Sequence, residues 1–392
     1  MGVIGYGRRI SGVCRLIQRL NPDARIVAIT DVRNEEIKKE IAERDNIKEQ
    51  PEDITFYTDA EEMLAKEDLA GVLVGTRCSL HAQMARKVAP TGLPLYLEKP
   101  VATTMDDLKK LKQAFDKSSC EVVVSFPLRV SPLVRAAREV IASGRVGSVE
   151  HVQAVNNVPY GSTYYRSWYR DYNETGGLWL QKATHDFDYI NHILDQMPAL
   201  IAAVHSQRVM GKRKPAGLTC DVCDELEECP ESPYADFARR GIKDHYEPQK
   251  RACAFGKDID PRYQDNGSAL IEYTNGVQAC YSQNFFARRD AASRGATLIG
   301  YHGTIQFDWY TEKVKVTLHH VSRTETIDCA GKHGHGGGDV ELAQDFLNVM
   351  RGKGKSRTPI SAGILSVLMC LKARRSALSH TFEKIDLAEL DA

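Results

Sequence analysis

Up to about residue 122, short apolar runs alternate with amphipathic stretches. The apolar runs are rich in Val, Ile and Leu, and they predict buried strands at 3–5, 26–29, 54–56, 71–74, 95–97 and 122–124. The stretches between them carry apolar residues at helical spacing, and they predict helices at 11–20, 34–42, 80–88 and 104–115, with another after Asp59. Repeated strand–helix–strand units predict a parallel sheet with right-handed crossovers.

Beyond residue 122 the pattern changes to short, β-branched strands separated by turn residues. Strands are predicted at 149–158, 200–204, 269–273, 278–284, 296–299, 304–307 and 314–318, and helices at 132–143, 180–194, 340–350 and 361–380. This order is typical of an open, mostly antiparallel sheet with helices on one face. We therefore expect an α/β chain with a parallel domain over 1–122 and an α+β domain over 123–392, interrupted by a polar insertion at about 209–264.

Composition narrows the class of protein. The chain has 392 residues, more than one compact core usually holds, and 52 basic residues balance 52 acidic ones. That neutrality argues against a nucleic-acid partner. No apolar run approaches the length of a membrane span, and Met1 leads directly into a strand without a signal segment, so we expect a cytoplasmic protein without a membrane partner.

A glycine turn follows the first predicted strand, in the order Gly5, Tyr6, Gly7, Arg8, Arg9 and Ile10. The two glycines permit a tight turn and a close approach of the backbone to a pyrophosphate, and the next helix adds its dipole. Alone the motif is weak, but its place between a strand and a helix favours a nucleotide site. Ile10 stands where the usual fingerprint has a third glycine, so we expect looser helix–strand packing there.

Asp31 ends the second predicted strand. A carboxylate there accepts hydrogen bonds from a ribose 2′-hydroxyl and repels a 2′-phosphate, so NAD is predicted over NADP. The alternatives are a simple turn aspartate, or an NADP site served by the nearby Arg33.

Lys99 follows the fifth predicted strand in the sequence Glu98-Lys99-Pro100. Ligands of open α/β sheets gather at the carboxyl ends of strands, and a lysine fixed there can polarise a hydroxyl and share its proton. We expect Glu98 to orient Lys99 or pair with it. The alternative is a surface lysine on a turn.

His185 is the second candidate for proton transfer. A plain helix would place Gln181 one turn before it on the same face, with Lys182 beside them. The preceding Gly176-Gly177 permits a backbone close to a ligand. The alternative is a histidine that lies in the core or on the surface of the helix.

A second glycine-rich stretch, 334–339, precedes a predicted helix. His333 and His335 could close over a substrate from it. The alternative is a linker in which Asp339 is the N-cap of the helix.

The glycine turn, Asp31, His81, the Glu98-Lys99-Pro100 motif and His185-Asp186 together resemble the glucose-fructose oxidoreductase/inositol dehydrogenase/MocA (Gfo/Idh/MocA) family. The resemblance covers the chain apart from the insertion. It implies a Rossmann domain, an α+β domain whose sheet supports a homo-oligomer (a dimer or tetramer), and NAD(P)-dependent oxidation or reduction of sugars, inositols or related polyols.

Site residues follow from the resemblance. Lys99 matches the catalytic lysine and His185 the catalytic histidine, whereas Gln181 stands where the family often has an aspartate and Lys182 is its candidate replacement. The predicted cofactor contacts are Gly5, Tyr6, Gly7, Arg8, Arg9, Ile10, Asp31, Arg33, Thr76, His81, Glu98 and Lys99. The predicted substrate contacts are Arg129, Tyr160, Tyr165, Gln181, Lys182 and His335.

Three functions are compared. The first is an NAD-dependent oxidoreductase acting on a ring hydroxyl or ketone of a carbohydrate or polyol. The alternative is a redox-neutral glycoside hydrolase that works by oxidation, elimination and reduction, since residues 334–339 resemble a glycine-rich stretch of such enzymes. A non-catalytic sugar sensor is disfavoured by the intact Lys99 and His185.

Ten cysteines divide into six that are scattered along the chain and four that are clustered in the insertion. The scattered six are expected to be small buried apolar residues. The clustered four suit tetrahedral zinc, although their spacing is not that of a standard zinc ribbon. They are Cys220, Cys223, Cys229 and Cys253. Free thiols, disulfides or an iron–sulfur centre are the alternatives.

Overall fold

The computed structural model describes residues 1–43, 49–232, 235, 251–330 and 335–391, with only the backbone described at position 335. Within these ranges, no helix is both long and apolar enough to span a membrane.

The first sheet has six strands in the order β3-β2-β1-β4-β5-β6. These strands are β1 (Gly2–Ile4), β2 (Ala28–Thr30), β3 (Thr55–Tyr57), β4 (Val72–Val74), β5 (Leu95–Leu97) and β6 (Val122–Val124). Every pairing is parallel, and five of the six strands are buried or nearly so because helices cover both faces. The strand order reverses between β1 and β4, which is where open sheets of this kind bind ligands.

Five helices connect these strands: α1 (Arg8–Leu20), α2 (Asn34–Ala42), α3 (Ala60–Lys66), α4 (His81–Val88) and α5 (Met105–Phe115). Thr104 caps α5 by accepting the amide of Asp107, as its position predicts. Helix α1 begins three residues before the predicted start, because Gly7 is its N-cap and the apolar periodicity becomes visible only later.

The missing third glycine does not loosen the packing of α1 on the sheet. Ile10 is fully buried, and a β-carbon built on Gly75 would lie 1.8 Å from Ile10 Cγ1. In the usual fingerprint, a glycine on the helix leaves room for close packing against the sheet. Here the glycine lies at the end of β4 instead, where Gly75 leaves room for the Ile10 side chain.

The second sheet has nine strands in the order β14-β13-β12-β11-β7-β10-β9-β8-β15. They are β7 (Val149–Asn157), β8 (Pro198–Ser206), β9 (Asn266–Tyr273), β10 (Gln278–Asn284), β11 (Ser293–Gly300), β12 (Gly303–Asp308), β13 (Lys313–Leu318), β14 (Arg323–Asp328) and β15 (Glu383–Lys384). Only the β7–β10 pair among them is parallel, which confirms the predicted mostly antiparallel sheet. Both edge strands escaped prediction, because β14 is polar and largely exposed and β15 has two residues.

Within the described residues, the other α-helices are α6 (Pro132–Ala142), α7 (Thr163–Arg166), α8 (Tyr172–Thr175), α9 (Thr184–Leu194), α10 (Gly338–Met350) and α11 (Ile360–Ser379). Helices α9 and α11 pack together, and α11 lies along β8. Helix α10 returns to the first sheet, where Phe346 packs edge-on against Tyr96 at 5.7 Å between ring centroids. The division of the chain after residue 122 stays a prediction.

The described part of the insertion is anchored at its base by Asp265. This buried carboxylate accepts the backbone amides of Arg208, Val209 and Met210 at 2.9, 2.6 and 2.8 Å. Met210, Ala254, Ile259 and Tyr263 then form a small apolar cluster with residues that precede and follow the insertion. The described part of the insertion therefore packs on the second domain.

Candidate active site

The predicted cofactor residues meet at one edge of the first sheet. The glycine turn follows β1, Asp31 follows β2, Thr76 lies just beyond β4, and Glu98 and Lys99 follow β5. Since all these strands are parallel, their carboxyl ends share this edge.

The glycine turn is shaped for close approach of a ligand. Gly5 has φ of +82°, and a β-carbon there would lie 2.6 Å from the backbone nitrogen of Thr76. No residue other than glycine fits without displacing the backbone. Gly7 caps α1, so the helix N-terminus faces the same space. This arrangement fits the pyrophosphate of a dinucleotide.

Asp31 is held beside the turn. Its Oδ2 accepts the amide of Tyr6 at 2.9 Å, and its Oδ1 accepts the amide of Arg33 at 2.9 Å. A carboxylate offers about four acceptor sites, so two remain for a ribose diol. The Arg33 side chain is 41% exposed, and its Nε lies 3.5 Å from Asp31 Oδ1.

Glu98 is paired with Arg9, which sequence reasoning missed as a partner. Arg9 Nε donates to Glu98 Oε1 at 3.0 Å, and Nη2 donates to Asp339 Oδ1 at 2.7 Å. The expected pairing of Glu98 with Lys99 is not what the geometry shows. The N-cap of α10 is Gly337, at φ of +87°, and not Asp339, whose carboxylate turns to Arg9 instead.

His81 is buried between two backbone carbonyls. Its Nδ1 lies 2.8 Å from the Pro100 oxygen and its Nε2 lies 3.1 Å from the Thr76 oxygen. Burial lowers the pKa of His81. The ring therefore holds together the loops that follow β4 and β5, and its assignment as a direct cofactor contact stays a prediction.

Lys99 reaches from the first domain to the second. Its Nζ donates to the backbone oxygen of Gln181 at 3.0 Å. Burial lowers the pKa of Lys99 to about 8, and the positive charges of Lys182 and Arg294 act in the same direction. An amine with a pKa near neutral can both accept and return a proton at working pH.

Lys182 lies beside this lysine, in contact with Tyr160. Lys182 Nζ donates to the Tyr160 hydroxyl at 2.7 Å. Burial lowers the pKa of Lys182, and the Lys182 ammonium in turn lowers the pKa of Tyr160. Tyr160 is 49% exposed whereas Lys182 is buried, so the pair can be reached from outside on the side of the phenol.

His185 is buried in the first turn of α9, with its ring edge-on to Phe126 at 5.9 Å between centroids. A π-helical turn, Trp179–Ala183, precedes α9, so the plain helix expected over 180–194 is wrong at its start. The wider turn changes which side chains share a face. The backbone oxygen of Gln181 thereby meets Lys99, while its side-chain amide turns inward to Cys78 and Thr175.

Asp186, beside His185, forms a buried ion pair that the sequence did not indicate. Arg294 on β11 contacts its Oδ1 through Nε at 2.9 Å and Nη2 at 2.8 Å. Asn156 and Tyr281 each donate to Oδ2 at 2.8 Å. These contacts lock the start of α9 onto three strands and so fix the position of His185.

Two other predicted substrate residues are already engaged by protein groups. The Arg129 guanidinium is engaged by Asp188, with the shortest contact at 2.6 Å. Tyr165 is fully buried and donates to the Gln264 backbone oxygen at 2.8 Å. Both side chains therefore have partners within the protein, and their assignment as substrate contacts stays a prediction. His333, Gly334 and the side chain of His335 lie outside the described residues.

The four clustered cysteines line one small pocket, together with Leu226 and Phe255. All four are free thiols, so the disulfide alternative is not what the structure shows. In the described part of the chain, no three His, Cys, Asp or Glu side chains are arranged to hold a metal ion. Zinc would thus require the sulfurs to draw together.

Two family models match the chain. One, described as an oxidoreductase family with an NAD-binding Rossmann fold, matches residues 1–126. The other, described as the GFO/IDH/MocA C-terminal domain, matches residues 134–306. Together they take in more than half of the chain.

Individual relatives agree with these matches. The chain is 28% identical over 330 residues to the YteT protein of Bacillus subtilis (strain 168), which is named as an oxidoreductase. The matched region covers 74% of this chain and 75% of that protein. It is 28% identical over 156 residues to 1,5-anhydro-D-fructose reductase of Ensifer adhaerens, 40% of this chain and 46% of that one. A solved structure, levoglucosan dehydrogenase in complex with NADH, gives a TM-score of 0.75 at 18% identity over 98% of both chains, which shows the fold alone.

Proposed function

The chain belongs to the Gfo/Idh/MocA family of NAD-binding oxidoreductases, and from that premise we propose that it transfers hydride between a nicotinamide and a ring carbon of a sugar, inositol or related polyol. The observation that carries the proposal is Lys99, held at the carboxyl end of β5 with a pKa of about 8 and in contact with the segment that leads to His185. The sugar reductase and dehydrogenase names among the relatives support the substrate class.

NAD, when bound at the glycine turn and Asp31, would supply the hydride acceptor, and residues of the protein handle the proton. A secondary alcohol becomes a ketone as its carbon loses hydride and its oxygen loses a proton. Neutral Lys99 accepts that proton, and its ammonium form then stabilises the oxygen when the reaction runs backwards. His185 is the partner base, kept in place by the Asp186–Arg294 pair.

The test is a substrate panel. The purified protein with NAD⁺ is incubated with sugars, inositols and aryl glycosides, and NADH absorbance and aglycone release are followed together. NADH formed in proportion to ketone supports the proposal. Aglycone release without net NADH would establish the glycoside hydrolase instead, and tight sugar binding without either product would establish a sensor.

Asp31 is proposed to select NAD over NADP. In Asp31→Asn, which keeps the shape but loses the charge, we expect the preference for NAD⁺ over NADP⁺ to fall, by about tenfold for the loss of roughly 1.4 kcal/mol of repulsion. Calorimetry with both nucleotides measures the ratio. Glu35→Gln removes an equal charge from an exposed side chain at the start of α2 and should leave the ratio unchanged. Tighter binding of NADP⁺ than NAD⁺ by the unaltered protein would contradict the assignment.

Structural zinc remains our proposal for the four clustered cysteines, because four thiols around one pocket are a donor set that zinc takes. Elemental analysis should then find about one zinc per chain. Cys223→Ser should lower both the metal content and the melting temperature, whereas Cys280→Ser, on β10 outside the cluster, should change neither. Metal-free protein of full stability would favour the free thiols.

The homo-oligomer and the cytoplasmic location also stay predictions.

A further inference from the structure

Two lysines face the candidate site without an acidic partner. In the part of the chain that is described, no carboxylate oxygen lies within 4.0 Å, the limit for an ion pair, of the Nζ atom of Lys99 or Lys182. Their hydrogen bonds go to neutral groups, the Gln181 backbone oxygen and the Tyr160 hydroxyl. An ammonium has three donors, so each lysine retains two for a ligand.

The nearby carboxylates are already balanced by arginines. Glu98 pairs with Arg9 at 3.0 Å, and Asp186 pairs with Arg294 at 2.8 Å. The Lys182 side chain is 6% exposed, so solvent does little to offset its charge. The Tyr160 and Tyr164 ring centroids lie 4.7 and 5.4 Å from Lys182 Nζ and offset part of its charge. Two ammonium groups without a carboxylate partner in one site are still unfavourable without an anion, and burial lowers the pKa of both.

A neutral polyol would use only one of these charges. The oxygen that loses its proton during oxidation needs one partner, and Lys99, once it has taken that proton, is the cation beside it. The second cation, Lys182, is hydrogen-bonded to a half-exposed phenol, and donor atoms 2.7 Å apart suit the two oxygens of one carboxylate. Since Lys182 donates to the phenol oxygen, the Tyr160 hydrogen is left to point at the same ligand.

We propose that the substrate is a sugar acid, of the uronate class, whose carboxylate binds the Lys182 ammonium and the Tyr160 hydroxyl while Lys99 acts on a ring hydroxyl. This inference rests on the proposed oxidoreductase function and narrows its substrate. A carboxylate is favoured over a phosphate because the pair offers a single positive charge and one hydroxyl, without an arginine fork.

The experiment compares matched pairs of substrates. The full chain with NAD⁺ is assayed on D-glucuronate against D-glucose and on D-galacturonate against D-galactose, and calorimetry measures binding of the same compounds to the protein with NADH. We expect each acid to exceed its neutral partner by about 10–100-fold in kcat/KM or affinity, the effect of one hydrogen bond to a charged group. The preference should shrink as salt is raised.

Lys182→Met should reduce the acid-to-neutral ratio by a similar factor, and Lys182→Arg should restore part of it. Lys110→Met, which removes the same charge from the exposed face of α5, is the matched control and should leave the ratio unchanged. If Lys182→Met fails to fold, Tyr160→Phe takes its place and should lower the ratio less, because it removes a neutral donor.

The outcomes separate the two proposals. Turnover of neutral sugars that equals or exceeds turnover of their acids would overturn the sugar-acid inference and leave the oxidoreductase intact. If no compound is oxidised, the oxidoreductase proposal fails, and calorimetry still decides the inference. Uronate binding that Lys182→Met abolishes supports it, and equal or absent binding of acids overturns it.

Discussion

Replacing Lys99 by methionine should lower turnover by about 10²–10⁴-fold, the usual contribution of a positioned acid–base group. Methionine keeps the length and apolar stem of the side chain but has no proton to move. His185→Ala should have an effect of the same order. The two losses should not multiply if both residues serve one proton relay.

Steady-state kinetics on the substrate found by the panel measure these losses, and calorimetry with NADH measures cofactor affinity separately. The affinity should change far less than turnover, because neither side chain belongs to the glycine turn. Lys110→Met again provides the matched control, with turnover expected to be unchanged. Near-normal turnover of Lys99→Met would remove the core of the proposal.

The pH dependence gives Lys99 a second test. Its pKa of about 8 means that the amine is neutral, and able to accept a proton, above that pH. The rate of oxidation should therefore rise with pH through a value near 8, and the rate of reduction should fall over the same interval because it needs the ammonium. Both limbs should disappear in Lys99→Met. An unaltered limb in that variant would assign the titration to another group.

Removing the Asp186 carboxylate should cost about 3–5 kcal/mol of unfolding free energy, the range for breaking a buried ion pair from one side. Arg294 is 7% exposed, so its guanidinium would be left buried without a counter-charge, and Tyr281 and Asn156 would each lose an acceptor. Urea denaturation of Asp186→Ala measures the loss.

Two further variants make this result specific. Asp186→Leu combined with Arg294→Met removes both charges and should be less destabilised than Asp186→Ala alone, because no charge remains unpaired. Glu35→Ala breaks an exposed pair with Lys38 and should change stability far less than Asp186→Ala does. A loss below about 1 kcal/mol for Asp186→Ala would mean that Arg294 finds another partner or water.

Much of the nucleotide half could be predicted from the sequence. Short apolar runs place the strands, and in a parallel sheet the residues that follow those runs must share one edge. Gly5, Asp31 and Lys99 could therefore be brought together without coordinates. The departure at Ile10 could be noticed from the sequence, but its compensation by Gly75 could not.

The polar pairings of the site could not be predicted. Arg9 meets Asp339, 330 positions later, and Asp186 meets Arg294, 108 positions later. The same holds for the ion pair between Arg129, a predicted substrate contact, and Asp188. Glu98 was expected beside Lys99, its neighbour in sequence, yet it turns to Arg9.

The physical reason lies in what each level of structure controls. Periodicity reports which face of an element is buried, and glycines report where the backbone must turn, because both depend on near neighbours in the chain. Which charge meets which depends on strand order, on register and on local changes such as the π-helical turn before His185. The sequence alone determined the nucleotide edge and the lysine that stands on it. Only the tertiary structure decided that Lys99 and Lys182 would face one site, because it pairs the neighbouring carboxylates, Glu98 and Asp186, with arginines.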